Sequence, residues 1–129
     1  MAQVLVAEDE PFTAMEVVDR LAELGHTVKE AADGAIALML LENFEPDVVI
    51  MDLTMPNVDG AELIRRLHMR PGPPIPVILI TAVPEGRLPP GLRYDGYLGK
   101  PVNFDLLGSM VARLVSSSRG VAARRTRQV

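Results

Sequence analysis

At several places in this sequence, polar side chains come directly after a short apolar run. Glu8 and Asp9 follow the first run, and Asp52, Thr81 and Lys100 follow later ones. Clustered carboxylates repel one another unless a cation compensates their charge, and hard carboxylate oxygens favour Mg2+. A carboxylate can also accept a phosphoryl group as a nucleophile, while a hydroxyl and an ammonium group stabilise the transferred oxygens. These residue types therefore predict a phosphoryl-accepting site that binds Mg2+.

This chemistry requires the apolar runs to be strands that end at one edge of a sheet. The runs at 48–51 and 77–80 are apolar at every position, which is typical of strands buried on both faces of a parallel sheet. Stretches with apolar residues at helical spacing separate the runs. Strands and helices in alternation, about five of each, predict an α/β fold with helices on both faces. Ligands bind such folds at the carboxyl ends of the strands, where these polar residues lie.

Several residues indicate where the predicted helices begin and end. Pro11 suits the first turn of a helix, and Gly25 supplies the left-handed residue that ends it. Asp33 and Asp59 are expected to cap the next two helices, and Asn103 or a residue beside it to cap the last.

Length and composition are those of one compact domain. The 129 residues are 48% apolar and 23% charged, and they include no cysteine, which excludes disulfides, zinc-thiolate sites and thiol catalysis. The N-terminus lacks the pattern of a signal peptide, and no apolar run approaches the roughly 20 residues that cross a bilayer. We expect a cytoplasmic protein that does not bind membranes.

The formal net charge of −4 is unevenly distributed. Four arginines and no acid follow residue 118, so residues 1–118 carry a net charge of −8. An acidic body of this kind does not favour binding to nucleic acid. We expect residues 1–118 to form the domain and residues 119–129 to form a basic, disordered tail.

One segment matches a specific pattern. The sequence DLTMPNVDG at residues 52–60 fits D-x-x-M-P-x-x-D-G after a buried strand, and it resembles the receiver domain of two-component response regulators. Other segments that carry the resemblance are Glu8-Asp9, Ile80-Thr81-Ala82 and Tyr97-Leu98-Gly99-Lys100-Pro101. The resemblance extends over residues 3 to about 117. It implies a flavodoxin-like, doubly wound, five-stranded parallel sheet in the strand order 2-1-3-4-5.

The resemblance also implies a role for each site residue. Asp52 would accept the phosphoryl group from a histidine kinase or a histidine phosphotransfer protein. Asp9 and Asp52 would ligate Mg2+ directly, together with the backbone carbonyl of Thr54, and Glu8 would reach the metal through water. Lys100 would pair with the phosphoryl group.

Three more positions follow from the same resemblance. Thr81 would act as a switch residue that turns its hydroxyl toward the phosphoryl group, and Tyr97 would move inward in concert. A cis peptide bond would precede Pro101.

Residues 82–95 depart from the family pattern. They contain Pro84, Gly86, Pro89, Pro90 and Gly91. A proline inside a helix costs about 3 kcal/mol and a glycine about 1 kcal/mol, so the fourth helix is predicted to be disrupted or shortened and the usual output face to be remodelled. We also expect few packed apolar side chains here and a mobile segment that becomes ordered on phosphorylation.

The leading interpretation is a stand-alone receiver that signals by phosphorylation-dependent contact with an unknown downstream protein and is not an enzyme with external turnover. An unphosphorylated interaction module of the same fold would lack the acceptor, the acid pair or the lysine, and all are present. A receiver excised from a hybrid kinase or a longer regulator is left open. A phosphatase of the haloacid type would have a second Asp where this chain has Thr54.

Overall fold

The computed structural model describes the backbone of residues 2–127 and the side chains of residues 2–117. Its centre is a five-stranded parallel sheet in the order β2-β1-β3-β4-β5. The strands are β1 Gln3–Ala7, β2 Thr27–Ala31, β3 Val48–Met51, β4 Val77–Thr81 and β5 Gly96–Gly99. This is the predicted flavodoxin-like order, and the prediction of the fold is confirmed.

Within the described residues, helices cover both faces of the sheet. They are α1 Pro11–Glu23, α2 Gly34–Leu41, α3 Gly60–His68 and α4 Phe104–Arg127. Leu21 of α1 and Leu107 of α4 share one buried cluster with Ile50 of the sheet. On the opposite face, Leu41 of α2 and Leu63 of α3 belong to a second cluster. The sheet is therefore buried on both sides, as its continuous apolar runs indicated.

The parallel register places the ends of the central strands side by side. Ala7 of β1 pairs with Met51 of β3. The backbone ladder continues one residue further, because the N–H of Asp52 donates to the carbonyl of Ala7 at 3.0 Å. At the other side of the sheet, the N–H of Lys100 donates to the carbonyl of Thr81 at 2.9 Å. The residues that follow these strands therefore share one edge.

The helix ends lie where the sequence placed them. The side chains of Asp33, Asp59 and Asn103 accept hydrogen bonds from backbone N–H groups in the first turns of α2, α3 and α4, at 2.8, 2.9 and 3.0 Å. Pro11 is the first residue of α1, and Gly25 follows that helix with a φ of 90°. The predicted caps are confirmed.

The β4–β5 segment, residues 82–95, contains a short 3-10 turn at Glu85–Arg87 in place of an α-helix. The predicted loss of the fourth helix is confirmed. The prediction of few packed apolar side chains is wrong, because Leu88, Leu92 and Tyr94 pack against the core beneath α2 and α3. Prolines prevent the helical hydrogen-bond pattern, but they leave the neighbouring apolar side chains free to turn inward.

The backbone of α4 is helical through Arg127, whereas we expected a disordered tail from residue 119. Residues 128 and 129, and the side chains from 118 onward, lie outside the described part of the chain. The boundary at residue 118 stays a prediction. Within residues 2–127, no helix has the length and apolarity that a membrane crossing requires.

Candidate functional site

Three carboxylates meet at the carboxyl edge of the sheet. Glu8 and Asp9 follow β1, and Asp52 follows β3, the strand beside it. One oxygen from each carboxylate lies within 4.8 Å of the other two. Glu8 and Asp52 are only 1% and 6% exposed, whereas Asp9 is exposed to solvent. The strand register thus brings together the acidic residues that the sequence singled out.

Lys100 provides the positive charge of this cluster. Its Nζ lies 2.8 Å from Oδ2 of Asp52 and also pairs with Oε1 of Glu8. The other oxygen of Asp52, Oδ1, accepts the backbone N–H of Thr54 at 3.2 Å. Because one ammonium group faces three carboxylates, the cluster as a whole is electrostatically under-compensated when all four groups are ionised.

Both burial and the charges of this cluster act on the pKa of Glu8. Burial raises the pKa of the Glu8 carboxyl to about 7, and the charges of Asp52 and Asp9 act in the same direction. The hydrogen bond and charge of Lys100 oppose that rise without cancelling it. Burial alone would lower the pKa of Lys100, but its hydrogen bonds to Asp52 and Glu8 outweigh burial and raise it. Lys100 therefore stays charged near neutral pH.

The cluster has the chemistry of a site for a hard divalent cation. Its three oxygens lie close together, and carboxylate oxygens are the ligands that Mg2+ prefers in proteins. Burial, together with the charges of Asp52 and Asp9, raises the pKa of Glu8, and a bound cation would favour its ionised form. Glu8, Asp9 and Asp52 fit such an ion and are the candidate ligands. The carbonyl of Thr54 stays a predicted ligand.

The two predicted switch residues are both bonded to Val83. Thr81 is buried at the end of β4, and its Oγ1 accepts the backbone N–H of Val83 at 3.2 Å. The hydroxyl of Tyr97 donates to the carbonyl of Val83 at 2.6 Å. The peptide bond between Lys100 and Pro101 is cis, as predicted. A shared attachment at Val83 was not foreseen from the sequence.

Sequence reasoning also missed a contact beside the site. It identified Asp33 only as a helix cap, but Nδ2 of Asn57 donates to Oδ2 of Asp33 at 3.0 Å. Asn57 has a φ of 69°, in the left-handed region. The available signal was the residue type, since asparagine adopts this conformation more readily than most residues.

A doubly wound parallel sheet with three carboxylates and a lysine at its carboxyl edge defines an α/β protein with an acidic site at the ends of its central strands. The model of the response regulator receiver domain family matches residues 4–112, and the chain belongs to that family. Receiver domains are signalling modules of two-component systems and not classical enzymes.

Curated relatives include proteins of several kinds. The chain is 36% identical over 119 residues to an uncharacterized response regulatory protein of Vibrio cholerae, covering 89% of this chain and 45% of that protein. It is 36% identical over 114 residues to the sensor histidine kinase RcsC of Salmonella typhimurium, covering 84% and 12% respectively. It is 35% identical over 122 residues to the transcriptional regulatory protein TcrA of Mycobacterium tuberculosis, covering 91% and 46%. The chain spans less than half the length of each.

Solved structures show the same fold over nearly the whole chain. The receiver domain of the Francisella response regulator 1452 is 31% identical, with a TM-score of 0.83 over 92% of this chain and 99% of that one. The chemotaxis response regulator CheY4 of Vibrio cholerae is 29% identical, with a TM-score of 0.78 over 88% and 98%.

Proposed function

We propose that this chain is a switch in which Asp52 accepts a phosphoryl group from a histidine kinase or a histidine phosphotransfer protein. The observation that carries this proposal is the environment of Asp52. Its carboxylate is buried at the sheet edge, grouped with Glu8 and Asp9, and paired with Lys100 at 2.8 Å. A carboxylate between a fixed ammonium group and a candidate Mg2+ site has the surroundings that a phosphoryl acceptor requires.

In the proposed reaction, one oxygen of Asp52 attacks the phosphorus of a phosphohistidine. A P–O bond forms while the P–N bond breaks, and the electron pair of the P–N bond returns to the imidazole nitrogen. Mg2+, when bound, neutralises charge on the carboxylates and on the transferred oxygens. Phosphorylation removes the carboxylate charge of Asp52, so Lys100 would transfer its ion pair from Asp52 to the phosphoryl oxygens.

The response to phosphorylation would begin at Val83. The Thr81 hydroxyl, which now accepts the Val83 N–H, would instead turn toward the phosphoryl group. That rotation would release the Val83 N–H, and Tyr97 would move with it because its hydroxyl is bonded to the Val83 carbonyl. A downstream protein would recognise the changed surface beside the β4–β5 segment.

The setting of the switch is part of the same proposal. The chain would work in the cytoplasm through protein contacts, without nucleic acid or membrane as a direct ligand. The net charge of −8 on residues 1–118 supports this, because it opposes approach to a polyanion. The module would serve either as a stand-alone switch or as the receiver part of a longer kinase or regulator.

Phosphorylation by acetyl phosphate tests the acceptor. Intact-protein mass spectrometry should show one added phosphoryl group with Mg2+ present and none in excess EDTA, because the carboxylate cluster requires a cation before a phosphate dianion can approach. Asp52→Asn should abolish the labelling. Asp19→Asn, the same change on the exposed face of α1, should leave it unaltered. Equal labelling of the Asp52→Asn protein would contradict the proposed acceptor.

A further inference from the structure

Two segments that are distant in sequence meet beside the candidate site. Asn57, in the β3–α3 loop (residues 52–59), and Asp33, at the start of α2, are 24 residues apart and share a side-chain hydrogen bond of 3.0 Å. The donor is Nδ2 of Asn57 and the acceptor is Oδ2 of Asp33. The other oxygen of Asp33 accepts the N–H of Ile36 at 2.8 Å and caps α2. One carboxylate thus joins α2 to the loop that follows Asp52.

The loop needs support at this point. The φ of 69° at Asn57 is a conformation that non-glycine residues adopt rarely, so a contact that holds the side chain also holds the backbone. The next residue, Val58, lies directly on the helix. A Cβ built on Gly34 would come within 1.8 Å of the carbonyl oxygen of Val58. The β3–α3 loop therefore packs directly on the start of α2.

The same loop is closed at its base around the proposed acceptor. The N–H of Gly60 donates to the carbonyl of Leu53 at 2.8 Å, and a Cβ on Gly60 would come within 2.6 Å of the Asp52 carbonyl oxygen. The N–H of Thr54 donates to the Asp52 carboxylate at 3.2 Å. The orientation of that carboxylate consequently depends on the conformation of the whole loop.

We infer that Asp33 and Asn57 are positioning residues, which hold the β3–α3 loop in the conformation that presents Asp52 and Thr54 to a divalent cation. The inference rests on the proposed function, and it adds Asp33, the N-cap residue of α2, to the residues that determine the geometry of the site. Groups that orient metal ligands without touching the metal commonly change metal affinity 10- to 100-fold when they are removed. Because this contact acts through the loop backbone, we expect an effect of about 10-fold on Mg2+ affinity.

The two functions of Asp33 can be separated by substitution. Serine is as good a helix cap as aspartate, but it has one oxygen and cannot also reach Asn57, so Asp33→Ser keeps the cap and removes the contact. Glycine adopts positive φ readily, so Asn57→Gly keeps the backbone conformation accessible and removes the same contact from the other side. The variant that carries both substitutions completes a double-mutant cycle, which measures the coupling between Asp33 and Asn57.

Asp59→Ser is the matched control. Asp59 belongs to the same loop and caps α3 through the N–H of Glu62 at 2.9 Å. Its replacement removes the same charge at a cap position without removing a bond between α2 and the loop. It therefore measures how much of any loss of Mg2+ affinity comes from the lost negative charge alone.

Isothermal titration of Mg2+ into the unphosphorylated full chain is the primary measurement. Asp33→Ser and Asn57→Gly should each weaken binding about 10-fold, the double variant should be within about 2-fold of either single one, and Asp59→Ser should change binding less than about 3-fold. Hydrogen exchange of the amides at 54–58 in metal-free protein should become faster in both single variants, and urea unfolding should show that the fold is retained. Acetyl phosphate labelling should need more Mg2+ for its half-maximal rate, with the same rate at saturation.

Two results would overturn the inference. One is a Mg2+ affinity in both single variants that equals that of the native chain. The other is an equal loss of Mg2+ affinity in Asp33→Ser and Asp59→Ser, which would show that the lost negative charge alone explains the effect. Failure of the native chain to bind Mg2+ or to be labelled would instead refute the proposed function. If Asp33→Ser does not fold, Asn57→Gly decides the inference by the same titration.

Discussion

The β3–α3 loop and the β4–β5 segment both leave the carboxyl ends of central strands, yet they are held in different ways. The loop is fixed by the hydrogen bond between Asn57 and Asp33 and by the close approach of Val58 to Gly34. In the β4–β5 segment, apolar side chains that include Leu88 and Leu92 pack on the core, and Asp95 at its end exchanges hydrogen bonds of 2.8 Å with the backbone of Val77. Hydrogen bonds and backbone contacts are directional, whereas apolar contact is not.

This difference suits what each connection is proposed to do. A loop that presents ligand atoms to a cation must fix those atoms to within fractions of an ångström. A segment that changes when Thr81 rotates must keep its place while its backbone adjusts, and apolar packing on the core permits this. The hydrogen bonds of the β4–β5 segment include one from the hydroxyl of Tyr94 to Glu85 and one from the hydroxyl of Tyr97, in β5, to the Val83 carbonyl.

The largest expected effect on the free energy of unfolding comes from Gly34→Ala, which adds one methyl group where α2 contacts the loop, and Gly86→Ala in the β4–β5 segment serves as the comparison. Gly34→Ala would place its Cβ 1.8 Å from the backbone carbonyl of Val58, so α2 or the loop must move. We expect a loss of about 2–3 kcal/mol in the free energy of unfolding, measured by urea denaturation. At Gly86, in the 3-10 turn, a Cβ meets no atom within 4 Å, and Gly86→Ala should be neutral or stabilise by about 0.5 kcal/mol.

Position 86 is the control for position 34, because both changes are glycine to alanine within a helical turn. If Gly34→Ala changed the free energy of unfolding as little as Gly86→Ala, the loop would not be packed rigidly on α2. The two regions would then not differ in rigidity.

The second prediction concerns the acidic cluster at the base of the β3–α3 loop, where Glu8 and Asp9 lie close to Asp52. The pKa of Glu8 is raised from 4.5 to about 7 in the folded chain. This group therefore favours the folded state fully below about pH 4.5, and its contribution is lost as the pH rises through about 7. In EDTA at pH 8, Glu8→Gln should be more stable than the native chain by on the order of 1–2 kcal/mol, and the difference should shrink by pH 5.

Urea unfolding at the two pH values, with and without Mg2+, checks the role of Glu8. Mg2+ should stabilise the native chain at pH 8 more than it stabilises Glu8→Gln, because the variant has lost one candidate ligand. Glu16→Gln, on the exposed face of α1, should change the free energy of unfolding by less than about 0.5 kcal/mol. A Glu8→Gln protein that is less stable than the native chain at pH 8 in EDTA would show that burial does not penalise this carboxylate.

These two regions also show what the sequence could and could not predict. The position of Asp52 and Lys100 at one edge followed from buried runs that end in polar residues, because parallel strands must end together. The second bond of Asp33 depends on where α2 crosses the loop and on one left-handed residue, and neither can be read from local patterns. The inward packing of Leu88 was hidden by the surrounding prolines, which exclude a helix without specifying which side chains turn toward the core.

The hydrogen bonds of Thr81 and Tyr97 to Val83 could also not be predicted from the sequence. Their positions follow from the strand pattern and the resemblance to the family. The direction in which each hydroxyl points depends on side-chain rotamers that the surrounding packing selects. The predicted mobility of residues 82–95 likewise stays a prediction, now for a segment whose apolar side chains are packed.

The smallest expected effects on the free energy of unfolding come from removing the hydroxyls of Tyr94, in the β4–β5 segment, and Tyr97, in β5. The Tyr97 hydroxyl is partly buried and bonded to the Val83 carbonyl at 2.6 Å, and the Tyr94 hydroxyl donates to the exposed Glu85 carboxylate at 2.9 Å. Tyr97→Phe leaves a partly buried carbonyl without this donor, so it should lower the free energy of unfolding by about 1 kcal/mol. Tyr94→Phe should lower it by less than about 0.5 kcal/mol, because water replaces the lost partner of Glu85.

Hydrogen exchange of the β4–β5 segment locates these losses. The Arg87 and Leu88 amides donate to Pro84 and Glu85 at 2.9 and 3.2 Å, and they report on the short turn that Tyr94 secures through Glu85. Tyr94→Phe should therefore speed their exchange despite its small effect on stability, whereas Tyr97→Phe should act mainly on the Val83 amide. Exchange that is unchanged in Tyr94→Phe would mean that Leu88 and its apolar neighbours alone hold the turn. An equal acceleration at Val83 and Leu88 in both variants would show that the segment opens as one unit, and the proposed local start of the response at Val83 would then be wrong.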